Sequence, residues 1–309
     1  MGTPEFAVAT LNALVRVGFD IAAVVTAPDR PAGRGKKLNS SAVKQRALEL
    51  KIPILQPEKL KDPVFIEQLD IIGASLYIVV AFRMLPEIVW NRPELGTVNL
   101  HASLLPAYRG AAPINWAIIN GERTTGVTTF KIQHEIDTGD ILLQEQIAIG
   151  PEDTAGELHD RMMMLGAQLM VSTVNGLFDR SLVPHPQRWP GTTPPPAAPK
   201  IDTATCRIDI AKHVGEVHDH IRGMSPYPGA WCRLVSDQGT IHFKVLRSRI
   251  FSTEGRNAPG QIDISDGRML IACGNGVLEA IEVQPEGKRR MGALEFLRGI
   301  RQHTRLSIE

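Results

Sequence analysis

The sequence predicts an α/β protein: a doubly wound, mostly parallel sheet followed by a small OB-like β-barrel. Three observations predict it. Up to about residue 183, short β-branched runs alternate with helical patterns, as βαβ units do around a parallel sheet. Residues 184–199 then hold seven of the chain's 22 prolines, and fixed φ angles with missing donors keep such a segment extended. Beyond it come short strands separated by turns such as Ser265-Asp266-Gly267 and Gly274-Asn275-Gly276, the pattern of a barrel. The expected organisation is a catalytic domain over residues 1–183, a linker over 184–200 and a barrel domain over 201–309.

Each element has a local reason. Thr3 as N-cap, Pro4 in the first helical position and Glu5 in the first turn open a helix that Gly18 closes. Residues 21–26 form a buried strand, 41–50 a helix, and 76–81 a second buried strand. Residues 97–101 add another strand and Pro113 starts a helix. Residues 126–132 and 141–149 make a strand pair, and Asp153 caps a long helix to about Leu177. After the linker, a helix over 214–222 precedes strands around Trp231 and over 241–246, 269–272 and 277–283. A doubly wound sheet places a strand before a turn such as Gly2-Thr3-Pro4, so roughly half a dozen apolar residues upstream of Met1 are expected.

Composition narrows the function classes. The 309 residues are 43% hydrophobic and 22% charged, ordinary globular values that exclude a disordered or collagen-like chain. The longest apolar run, residues 76–82, is far shorter than the roughly 20 residues that span a bilayer. No secretory signal is legible at the N-terminus, so the cytoplasm is the expected compartment. Cys206, Cys232 and Cys273 are widely spaced and propose neither a disulfide set nor a metal cluster; buried free thiols are expected. Net charge is +1, with 16 basic and 13 acidic residues from Lys200 onward.

No G-x-G-x-x-G or Walker-type loop follows a predicted strand, which excludes the usual nicotinamide and ATP sites. The densest chemistry lies at residues 97–110. Asn99 and His101 stand two apart on a strand and share one face, while Val98 and Leu100 turn into the core. An amide NH2 stabilises a developing oxyanion and an imidazole moves a proton near neutral pH. The same two residues could equally end a strand and sit half buried. Asp137-Thr138-Gly139-Asp140 reads first as a turn; a carboxylate there that faced His101 would orient the imidazole and favour its protonated form. Of the other histidines, His213, His218 and His220 are expected on a solvated helix face, and no metal-ligand spacing occurs.

Taken together, Asn99-Leu100-His101-Ala102-Ser103-Leu104-Leu105-Pro106, Arg109-Gly110-Ala111-Ala112-Pro113-Ile114 and Asp137-Thr138-Gly139-Asp140 resemble the 10-formyltetrahydrofolate-dependent formyltransferase family. The resemblance runs the length of the chain, from Gly2-Thr3-Pro4-Glu5-Phe6 to Phe296-Leu297. Residues 26–37, a basic loop, are similar to the tRNA-contacting loop of the members that act on methionyl-tRNA, and Ser225-Pro226-Tyr227-Pro228-Gly229-Ala230-Trp231 is similar to their C-terminal domain. Ile210 departs from the family pattern, which often has an aromatic there.

The resemblance implies a one-carbon transferase of protein biosynthesis that formylates methionyl initiator tRNA. Asn99, His101 and Asp137 would be catalytic. Ser103, Leu104, Leu105, Pro106, Tyr108, Arg109 and Gly110 would bind the folate, a co-substrate rather than a resident cofactor. Arg30, Arg34, Lys36, Lys37, Arg289 and Arg290 would contact tRNA phosphates. No metal, no membrane and a monomer are expected. Two rivals stay open: formylation of a small amine, such as a glycinamide nucleotide or an amino sugar, with the same three residues, and a non-catalytic RNA-binding protein built on the barrel.

Overall fold

The structure, a computed structural model, describes residues 1–32, 37–255, 257–300 and 305–309. In chain order the elements are α1 (Glu5–Val17), β1 (Val24–Val25), β2 (Arg30–Ala32), β3 (Lys37–Asn39), α2 (Ala42–Glu49), β4 (Ile54–Leu55), α3 (Pro63–Ile72), β5 (Tyr77–Val80), α4 (Glu87–Trp90), β6 (Thr97–His101), β7 (Arg109–Gly110), α5 (Pro113–Ile119), β8 (Thr124–Lys131), β9 (Ile141–Ala148) and α6 (Ala155–Phe178). They continue with β10 (Ala197–Ala198), α7 (Val214–Gly223), β11 (Ala230–Ser236), β12 (Gly239–Ser252), β13 (Ile262–Ser265), β14 (Arg268–Ala272), β15 (Val277–Pro285), β16 (Met291–Gly292), α8 (Ala293–Arg298) and β17 (Ser307–Ile308). The chain divides into two compact units, one of Met1–Gly110, Thr125–Ile147 and Asp160–Ala197, the other of Ala111–Thr124, Ala148–His159 and Ala198–Glu309.

In the first unit the caps explain where helices start. Pro4, not Thr3, is the N-cap of α1; its backbone is extended and no side chain caps the helix. Gly18 ends α1 at φ +94°, donating its N–H to the carbonyls of Leu14 and Val15. Ser41 accepts from Lys44 N to open α2. Asp62 does the same for α3 through Val64 N, an element that the apolar spacing of 63–72 did not single out. The core beside these helices gathers Val25, Leu60, Phe65, Leu69, Tyr77, Val79, Leu85 and Val89.

The sheet itself is split. β1 pairs β4 in parallel, while β5, β6, β8 and β9 form a separate four-stranded sheet in which β5–β6 is parallel and β6–β8 antiparallel. The expected strand over 21–26 shrinks to Val24–Val25. A cavity of about 490 Å³ lies along the break, walled by Leu11, Leu14, Val24, Tyr77, Ile78 and Phe178 among others. The first two residues bridge it: Gly2 N donates to Val25 O, Val80 N donates to Met1 O, and the Met1 ammonium donates to Ile78 O at 2.6 Å. Burial pushes that amine from its ordinary 8.0 down to about 5. Gly2 must be glycine, since a Cβ would fall 2.4 Å from the Ala7 Cβ.

The second unit is an antiparallel barrel with helices. Its strand order is β13-β14-β15-β12-β11-β17, with β16 beside β15. The two edges meet where Gln261 pairs Ser307, which leaves no long open edge for another chain to pair with. Register shifts between Val245 and Ser252 let the 14-residue β12 bend around the core of Phe243, Met269, Ile271, Leu278 and Val283. Asp153 does not cap α6. Its carboxylate takes the Gly150 N–H, while Thr154 and Glu157 exchange hydrogen bonds as a capping box.

His218 is likewise corrected. It is buried on α7, with Nδ1 on the Ser248 hydroxyl and Nε2 donating to Pro151 O, instead of on a solvated face. All three cysteines are free and buried, and desolvation drives Cys232 up to about 12 and Cys273 up to about 11, so neither is a reactive thiolate.

Candidate active site

β6 brings the first two candidates to one edge. Its Thr-Val-Asn-Leu-His alternation buries Val98 and Leu100, and Gly166 of α6 lies so close to Leu100 that any Cβ there would sit 2.8 Å from its Cδ2. That pins the far face of the strand. Asn99 and His101 leave the opposite face at the carboxyl end, where α/β sheets bind ligands. Asn99 is half buried, and its side-chain amide has no hydrogen-bond partner among the described residues.

His101 is buried and held from two sides. Its Nε2 lies 2.8 Å from Tyr108 O. A carbonyl oxygen only accepts, so Nε2 carries the proton and Nδ1 is the nitrogen left for chemistry. Nδ1 faces Asp137 Oδ2 at 3.8 Å, too far for a direct hydrogen bond. That oxygen is itself fixed by the Gly110 N–H at 3.0 Å. Sequence reasoning asked Asp137 to orient the ring; the Tyr108 carbonyl does so, and Asp137 instead stands across a gap from Nδ1.

Two residues of this network sit in the left-handed region, Tyr108 at φ +59° and Asp137 at φ +55°. Non-glycine residues persist there only where surroundings over-determine them. For Tyr108 the surroundings are the loop over 103–110. Thr128 Oγ1 donates to Ser103 O and accepts from Leu105 N, and Gln144 Nε2 donates to Leu105 O. Ser103 Oγ donates to Ala107 O, and Tyr108 N donates to Pro196 O. Leu105 packs with Phe130 and Ile141.

Among the residues expected to bind folate, Ser103, Leu105, Pro106 and Tyr108 therefore have buried side chains that brace the loop. Leu104, Arg109 and Gly110 remain partly exposed, and Gly110 offers its N–H to Asp137.

Sequence reasoning missed Thr128, Gln144 and Gln187. Gln187 Nε2 donates to Asp137 O at 2.9 Å and to Gly139 O at 2.8 Å, and its Oε1 accepts from Arg109 Nη2 at 2.6 Å. Nothing in a lone glutamine between prolines signals this, because the segment reads as a spacer.

With that geometry in view, comparison with known proteins is direct. Residues 1–174 match formyl transferase, and residues 200–301 match the formyl transferase C-terminal domain. The chain belongs to the formyl transferase family. The methionyl-tRNA formyltransferase of Bacteroides thetaiotaomicron is 49% identical over 308 residues, covering 97% of this chain and 94% of that protein. The enzyme of the same name from Porphyromonas gingivalis strain W83 is 46% identical over 313 residues, covering 100% of this chain and 97% of its own. The crystal structure of WlaRD, a sugar 3N-formyl transferase, matches with a TM-score of 0.64 at 19% identity, over 93% of this chain and 97% of that one, a likeness of fold.

As a formyl transferase, the chain presents its expected RNA-contacting cations unevenly. Arg30 is exposed at the start of β2, which pairs β3 in a hairpin. Just before it, Lys44 and then Gln56 donate to Asp29 and hold its carboxyl below the ordinary range, which anchors the hairpin's base. Arg34 and Lys36 lie outside the described residues. Arg289 and Arg290 are exposed but paired with Glu295 and Glu282, and Arg247 and Arg249 with Glu157 and Glu279. These four arginines therefore already have carboxylate partners. No helix among the described residues is long and apolar enough to cross a membrane, and no group of three or more His, Cys, Asp or Glu among them could hold a metal.

Proposed function

We propose that this chain transfers the formyl group of 10-formyltetrahydrofolate to the α-amine of methionine esterified to initiator tRNA. The observation that carries the reading is the gap of 3.8 Å between His101 Nδ1 and Asp137 Oδ2, two residues along β6 from the Asn99 amide. Full-length relatives named methionyl-tRNA formyltransferase supply the substrate.

In this reading the amine attacks the formyl carbon, a C–N bond forms, and the carbonyl oxygen becomes a tetrahedral oxyanion. Asn99 donates to that oxygen. His101 donates beside it through Nδ1–H, and because Nε2–H is already committed to Tyr108 O, the donating ring is doubly protonated. Asp137, or a water it holds, takes the proton of the attacking amine. Collapse of the intermediate breaks the bond to the folate nitrogen, which takes up the proton that Asp137 or its water removed from the amine and leaves as a neutral amine, returning the carboxylate to its starting state. All three groups act by position and charge, without a covalent enzyme intermediate.

Residues 1–183 carry the chemistry in this account, 184–200 link, and 201–309 bind tRNA. Arg30, Arg34, Lys36 and Lys37 meet phosphates of the acceptor end, and Arg289 and Arg290 contribute only after exchanging their carboxylate partners for phosphate. The protein works as a cytoplasmic monomer. Arg34→Ala raises the KM for tRNA and leaves that for folate unchanged, and affinity falls as salt rises.

Initiator and elongator tRNA, each charged with methionine, are the test substrates, with a glycinamide nucleotide and an amino sugar beside them. Formylation of the initiator alone is expected. Turnover of a small amine in preference to the charged tRNA overturns the reading.

A further inference from the structure

We propose that Gln187 is a positioning residue for the reaction, setting the Asp137 carboxylate against His101. The inference rests on the function proposed above and adds a residue to it. Gln187 lies in the proline-dense segment between exposed Pro186 and Arg188, yet its own side chain is half buried and turned inward. The segment is fastened one turn earlier, where His185 and Ile141 exchange backbone hydrogen bonds.

All four hydrogen-bonding positions of its amide are used. Both N–H donors are spent on carbonyls of the same loop, Asp137 O and Gly139 O, which flank Thr138. Oε1 meets both Nε and Nη2 of Arg109, at 3.1 and 2.6 Å. The orientation is not ambiguous: turned by half a rotation, the amide would set NH2 against a guanidinium and its oxygen against two carbonyls.

The bonds fall where the loop needs them. Asp137 holds φ +55°, in the left-handed region that a non-glycine residue keeps only when its surroundings fix it. Gly139 presses so tightly on β8 that a Cβ would lie 1.7 Å from Lys131 O, so the loop is clamped on its far side by backbone contact. Gln187 supplies the near side. It grips the Asp137 backbone, while the Asp137 carboxylate accepts the Gly110 N–H, and that glycine is next to Arg109, the other group Gln187 grips. One side chain therefore fixes the carboxylate and the strand that holds it.

Gln187→Glu and Gln187→Ala separate the two grips. The carboxylate still accepts from Arg109 but has no donor for the two loop carbonyls; alanine has neither. Initial rates with methionyl initiator tRNA and 10-formyltetrahydrofolate are the readout, together with thermal melts and the downfield proton resonance of the His101 Nε2–H. A displacement of about 1 Å at a reacting group costs on the order of 100-fold. We expect kcat to fall about 10- to 100-fold in both variants, with each KM changed less than about twofold and the His101 proton signal retained.

Three results overturn the proposal while the parent chain is active: kcat within about twofold of the parent, a raised KM with kcat unchanged, or loss of the His101 signal, which marks collapse of the site. An inactive parent chain refutes the function proposed above instead.

Discussion

Two stretches of the same sheet are built very differently. At the carboxyl end of β6, His101, Tyr108, Gly110, Asp137 and Gln187 are cross-tied, each by a hydrogen bond to a residue from another segment. Between β1 and β5, a cavity of about 490 Å³ is spanned by backbone hydrogen bonds of Met1 and Gly2. The first arrangement places reacting groups; the second leaves apolar side chains and strand edges unpartnered. The difference teaches that the candidate site draws its rigidity from β6, β8 and the loops around them, and does not depend on continuity across the break.

The largest expected effects break the tight region. Asn99→Ala and His101→Ala each remove one oxyanion donor, worth roughly 2.7–4 kcal/mol, so kcat should fall about 100- to 1000-fold. Single-turnover formylation measures it, with circular dichroism to check the fold. Rates within about threefold of the parent would remove these residues from the donor role.

The loose region is tested by filling it. Ala23 lines the cavity, and Ala23→Leu adds apolar groups there at about 0.8 kcal/mol per methylene. A rise in Tm of about 3 °C is expected by calorimetry. Formylation rate should change less than about twofold. An unchanged Tm would mean that the cavity does not accept the side chain, and a large change in rate would deny the independence of the two regions.

Much of this was legible before any coordinates. Period-two spacing put Asn99 and His101 on one face, and Asp137 stood out as a carboxylate in a turn. The C-cap at Gly18 followed from residue type. What sequence could not show was backbone: the Tyr108 carbonyl and the Gly110 N–H carry no residue signature, yet they set the ring's tautomer and hold the carboxylate. Gln187 was hidden by its proline-rich neighbours, whose density reads as a spacer. His218 was misplaced because polar side chains on an amphipathic helix usually face solvent, and only the Ser248 hydroxyl and Pro151 carbonyl make its burial tolerable. Charge counting likewise does not reveal that Glu295 and Glu282 pair with Arg289 and Arg290.

The central claim is that amide, imidazole and carboxylate act on one carbon, and Asp137→Asn tests it most directly. The variant keeps an oxygen for the Gly110 N–H but loses the charge and the basic site. Single-turnover transfer from 10-formyltetrahydrofolate to methionyl initiator tRNA should slow at least about 100-fold with the Kd for both substrates unchanged. Transfer within about threefold of the parent would contradict the account.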